Sequence, residues 1–344
     1  MADGIGAGAH TAPAPRRPRH MGFRMPPFVK LILRRLGLGI LTLFLVAVLV
    51  FFATQALPGD TARAILGRQA TPERYTVVRR QLGLDKPAVY RFGSWLSDIV
   101  RGDLGESLVA KEPVTELLSG RVKNSAALVM AAAIVGIPLS FLLGSLSAAL
   151  RDKPFDHGVS IASLALTSLP DFVLGILVIM LLSTEILHLF PAVSRVDPNV
   201  PLTSQLTALV LPTVTLAVSV GVYIVRILRA SMVEVLESDY VQMARLKGLP
   251  ERIVLVRHAL PNAIIPAIQV TALMLAWLAG GIVVVEYLFN YPGIGTGLVD
   301  AINNRDVPVI QAIVLLIAGL YVGLNLLADI ITILVSPRVR TSLQ

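Results

Sequence analysis

Apolar residues in this chain run together instead of alternating. Six runs reach membrane-spanning length, at about 31–56, 125–150, 158–188, 206–228, 263–288 and 308–335. A helix crosses the hydrocarbon core with about 20 mostly apolar residues, whereas a barrel strand needs only about 10 and alternates. The pattern predicts an all-α membrane protein with six transmembrane helices. It divides the chain into a polar leader 1–30, a first span 31–56, a long external loop 57–123, a five-helix core 124–335 and a short tail 336–344. Short helical patterns near 72–82 and 88–101 interrupt the long loop, and the core encloses one polar cytoplasmic island, 230–262.

Lys and Arg set the orientation. Seven basic residues (Arg16, Arg17, Arg19, Arg24, Lys30, Arg34 and Arg35) precede or open the first run. Counting crossings puts Arg151, Lys153, the 229–262 island and the Arg338–Arg340 tail on that same side. The short loops 189–205 and 289–307 carry one arginine each. The positive-inside rule then places both termini in the cytoplasm. Loop 57–123 holds eleven basic and eight acidic residues, but loops longer than about 60 residues escape the rule. The Ala-, Gly-, Pro- and Arg-rich leader reads as disordered, and the apolar run after it is too long for a signal peptide and lacks an A-x-A site.

Composition agrees. The chain is 55% hydrophobic and 15% charged, with a mean hydropathy of +0.74. Its net charge of +8 follows from membrane topology and not from nucleic-acid binding. There is no cysteine for a disulfide or thiolate site, no phosphate-binding G-x4-G-K-[ST] loop, no H-E-x-x-H pair and no G-x-S-x-G elbow. No catalytic or metal constellation is expected, so any energy source must be another subunit. The cluster Pro292-Gly293-Ile294-Gly295-Thr296-Gly297 reads as a tight turn.

The polar island carries the most information. Leu236, Tyr240, Met243, Ala244 and Lys247 fall at helical spacing. Gly248 should end that helix, since glycine enters the left-handed cap freely. Pro250 and Glu251 suit the first turn of a second short helix. Ala244 and Gly248 place two small residues one turn apart, which would allow a partner to approach closely. The plain alternative is an ordinary amphipathic loop.

The spacing Ala244-x3-Gly248-x9-His258-Ala259-Leu260-Pro261 resembles the EAA loop of bacterial ABC-importer permeases, roughly E-A-A-x3-G-x9-I-x-L-P. Gln242, Met243 and His258 depart from that pattern. Further motifs resemble the first permease of dipeptide, oligopeptide and nickel ABC importers: Ile32–Leu36, Leu57-Pro58-Gly59-Asp60, Leu82–Pro87, Gly102-Asp103-Leu104-Gly105, Glu286–Gly295, Asn325–Asp329 and Pro337–Arg340. The resemblance implies a type I ABC importer permease with no enzymatic activity of its own. Its implied partners are a second homologous permease, two ATPase subunits binding ATP and Mg, and an extracytoplasmic substrate-binding protein. It further implies an ATPase-coupling loop over Asp239, Tyr240, Ala244, Lys247, Gly248, Leu249, His258, Leu260 and Pro261. The implied substrates are short peptides, with nickel chelates and glutathione as alternatives.

Charges within the spans come next. Arg226, Arg229, Glu286 and Asp329 read as anchors or interhelix partners. Asp171, just after Pro170 in the third run, could instead belong to a translocation path with Ser168 and Pro170, or mark a simple kink. An ion-coupled secondary transporter would show inverted repeats and paired midplane acids, which are not evident. A non-transporting scaffold would not need the Pro and Gly breaks.

Overall fold

The computed structural model describes residues 27–56, 71–73, 75–76, 85–196, 200 and 204–335. The leader up to residue 26, most of 57–84 and the tail from 336 therefore lie outside the described residues, together with the motifs placed there. Long helices dominate: α1 (Pro27–Ala56), α3 (Val114–Ala149), α6 (Leu206–Leu236), α8 (Glu251–Leu288) and α10 (Val307–Val335). Shorter ones are α2 (Ala88–Val100), α4 (Pro154–Thr167), α5 (Asp171–Thr184), α7 (Asp239–Leu246) and α9 (Ile294–Asn304). Among the described residues the only β feature is an isolated bridge between Glu106 and Pro113.

Five of the expected spans are single helices, and the third is not. The run 158–188 is two helices, α4 and α5, bent by 115° at Ser168-Leu169-Pro170. Pro170 adopts an extended backbone (φ −61°, ψ 148°) just before α5, as a residue without a donor does at a helix start. The second span also begins earlier than read. Val114–Lys123, assigned to the loop, is the first part of α3.

Packing registers give the direction of each helix. Gly136 meets Ala217, Ser140 meets Gly221, and Gly144 meets Val225 and Leu228. The two numbers rise together, so α3 and α6 are parallel. Small residues every fourth position let the backbones approach: a Cβ on Gly136 would lie 3.0 Å from the Ala217 backbone. Parallel neighbours require the intervening chain to return across the membrane. The bent pair does this, running opposite to α6: Asp156 faces Arg229, Asp171 faces Ser219, and Gly175 faces Thr215. It is therefore one broken span and not a re-entrant hairpin. Helix α1 lies antiparallel to α10, through Arg35–Asp329 (3.1 Å) and Thr54–Gln311 (2.9 Å). Six crossings bring Pro27 and Val335 to the same side.

At the opposite side, α2 lays Phe92 and Trp95 on Phe44, Phe51 and Phe52 of α1. The 101–113 segment turns through Gly102 and Gly105, both left-handed. It is tied to the start of α10 by Ser107 Oγ and Leu108 N–H, both donating to Asp306. The described part of the long loop is thus a folded cap on helix ends, and the helix expected at 88–101 is present.

Candidate functional site

The island between α6 and α8 has a core of its own. Ser238 breaks α6 with an extended backbone (ψ 149°), and its carbonyl accepts from the Val241 and Gln242 N–H groups (3.1 Å each). Helix α7 then stops as expected. Lys247 is the last near-helical residue, Gly248 sits at φ +77°, and its N–H donates to the Arg245 carbonyl (2.9 Å). The Leu249 N–H reaches back to Ala244 (3.4 Å), completing the paired bonds of a glycine-terminated helix. Leu249 folds over Val241, Ala244 and Val254, which are buried.

Two clamps hold this unit to the spans. Arg245 donates to Glu251 through Nη2 (2.7 Å) and Nε (3.2 Å) and to the Leu236 carbonyl (3.3 Å); its bond with Glu251 raises the pKa of the guanidinium above the ordinary arginine value. Tyr240 accepts from Asn262 (3.1 Å), which also caps the His258 carbonyl (3.1 Å). Below them Ala259 and Ala263 pack on Ala148 and Met232, with Leu260 beside them.

Two expectations change. Ala244 is 5% exposed and points into the loop's own core, so it offers no surface to a partner. The second short helix is not separate, because Glu251 opens α8 and a π-helical turn at Val254–Ala259 carries it into the membrane span. The outward surface belongs instead to Asp239, Tyr240, Met243, Leu246, Lys247, Gly248, Val256 and Pro261, with Leu246 81% exposed. His258 is half-buried, its ring near the Ile253 carbonyl.

Of the residues read for a translocation path, Pro170 and Asp171 line a cavity of about 310 Å³ with Ser219, Tyr223 and Trp277. Ser219 Oγ donates to Asp171. Ser168 does not line the cavity, and its hydroxyl donates to the Leu164 carbonyl within α4 (3.0 Å).

Two comparisons decide what this arrangement is. Residues 122–341 match the family described as binding-protein-dependent transport system inner membrane component, and residues 28–129 match the N-terminal component of the same systems. The chain belongs to that family. It is an ABC-importer permease. It is 38% identical over 310 residues to a putative peptide transport system permease of Brucella abortus, covering 90% of this chain and 98% of the relative. It is 38% identical over 309 residues to a probable peptide ABC transporter permease of Sinorhizobium fredii, with the same coverage. It is 39% identical over 310 residues to a glutathione transport system permease of Pectobacterium atrosepticum, again covering 90% and 98%.

Two polar centres of the permease were not assembled from sequence. Asp156, fully buried at the start of α4, receives Arg229 Nε (2.5 Å) and Nη2 (2.6 Å), the Asp152 N–H (3.1 Å) and Ser147 Oγ (2.5 Å), joining α3, α4 and α6. Of the two roles the sequence allows for Arg229, anchor or interhelix partner, the structure shows the second. Glu286, also fully buried, accepts from Ser125 Oγ (2.5 Å) and the Gly295 N–H (2.7 Å). The glycine cluster is therefore more than a turn. A Cβ on Gly293 would strike the Glu286 carboxyl, and one on Gly295 would strike the Val283 backbone. An acid followed at short range by alternating glycines is the one signal that could have shown this.

Proposed function

We infer that this permease forms half of the translocation path of an ATP-driven importer of short peptides, and that the 238–262 unit is where an ATPase docks. The observation that carries the docking assignment is the position and build of that unit. It presents Tyr240, Met243, Leu246 and Val256 to solvent, on a small rigid core clamped between the ends of two antiparallel spans. A push on that surface moves α6 and α8 together. ATP and Mg belong on the partner subunits, because no phosphate-binding loop occurs in this sequence.

The remaining assignments follow from that one. The side bearing the unit is the cytoplasm, with both termini there, as the basic residues of the sequence indicate. A second, related permease completes the path, and an extracytoplasmic binding protein delivers the peptide to the side capped by α2 and the 101–113 turn. Peptide is the substrate named for two of the relatives described above, and glutathione, named for the third, is itself a short peptide. Proteoliposomes holding the whole transporter should take up a dipeptide only with ATP inside the coupled compartment and binding protein present. Native mass spectrometry of the same complex should find this chain once; two copies in an active complex lacking a second permease would refute the pairing.

The absence of cysteine allows a direct check of sidedness. Ser94 and Asn303 are exposed on the cap side. Ser94→Cys and Asn303→Cys should react with an impermeant maleimide added to intact cells, and Ser231→Cys should stay silent. Labelling of Ser231→Cys from outside would invert the proposed orientation.

A further inference from the structure

Resting on the peptide-importer reading, we propose that one face of α6 carries a two-ended binding groove for a zwitterionic peptide, with Asp171 receiving the free amino terminus and Arg226 the free carboxyl terminus. The Asp171 cavity adjoins a second one of about 450 Å³ lined by Arg226, and Tyr223 lines both. At the first end, Ser219 fixes one carboxyl oxygen of Asp171. The other oxygen and the Trp277 ring converge over Gly281, where a Cβ would lie 3.5 Å and 3.3 Å from them. A carboxylate beside an indole ring is a pairing suited to hold an ammonium group. Among the described residues neither Asp171 nor Arg226 takes part in an ion pair. Asp156 and Asp329 are ion-paired within the fold, with Arg229 and Arg35, and Glu286 is fully buried against Ser125 and the Gly295 N–H, whereas Asp171 lines an open cavity. An unpaired charge-bearing side chain within a span marks a solute path.

Length gives the substrate size. Ser219 and Arg226 are separated by two helical turns, about 10 Å along α6. Extended chain covers about 3.3–3.6 Å per residue, so the groove spans a peptide of two or three residues.

The test is equilibrium binding of radiolabelled trialanine to the complete transporter in nanodiscs, without binding protein. Saturable binding is expected, with N-acetyl-trialanine and trialanine amide each bound about tenfold more weakly, as loss of one charged hydrogen bond implies. Asp171→Asn should lower trialanine affinity about tenfold and leave N-acetyl-trialanine unchanged. Arg226→Gln should do the same for the free acid and spare the amide. Absence of saturable binding, or equal loss for free and blocked peptides in either variant, would overturn the groove. Uptake of trialanine by the unaltered transporter separates the two readings. Uptake without groove binding sinks the groove alone, and failure of ATP-driven uptake sinks the importer assignment with it.

Discussion

Arg229→Ala should sharply reduce the permease recovered from membranes and lower the melting midpoint of what remains. Asp156 is fully buried, and among the described residues Arg229 is its only ion-pair partner, through two parallel bonds. Removing one member of such a pair costs about 3–5 kcal/mol, because the other is left buried without compensation. Ser147 and the Asp152 N–H also bond Asp156, so the loss falls on the junction of α3, α4 and α6. Arg229→Lys should be intermediate, since an ammonium cannot reproduce the fork. The double change Asp156→Leu with Arg229→Met should recover most of the protein, as apolar replacement of a whole buried pair is often neutral or stabilising. Wild-type levels and melting for Arg229→Ala would show that the pair does not hold the broken span in place.

Leu246→Asp should cut ATP-driven uptake at least tenfold while the protein inserts normally. Leu246 is 81% exposed and belongs to none of the packed clusters among the described residues. The substitution therefore costs the isolated permease little, and any defect reports on the docked partner. A well-packed apolar anchor at the centre of an interface is worth about 2 kcal/mol or more, and a buried unpaired aspartate adds to that. Gly248→Val tests the same surface differently. Among the described residues nothing lies within 4 Å of its Cβ position, yet φ is +77°, so a side chain brings about 1–2 kcal/mol of left-handed strain. Both variants should lose ATPase subunits on co-purification. Retained uptake and retained ATPase in both would remove the docking assignment from this loop.

The sequence alone determined much of this permease. Span number followed from run length, because hydrocarbon demands about 20 apolar residues with internal hydrogen bonds. The stop at Gly248 was legible because a left-handed cap is a local property of one residue. Pairing for Arg229, Glu286 and Asp329 was also foreseeable, since lone charges are costly at that depth, but the partners were not. Asp156 is 73 positions from Arg229, and Ser125 is 161 from Glu286. Only the parallel docking of α3 on α6, through Gly136, Ser140, Gly144 and Gly221, makes the intervening bent pair a full crossing. Hydrophobicity cannot foretell that arrangement, because these helices are apolar over most of their surface and register is chosen by where backbones fit closest. The same holds for Ala244. Its place in the motif suggested an outward contact, and the tertiary fold turned it inward, because Val241, Leu249 and Val254 needed a small residue to close over.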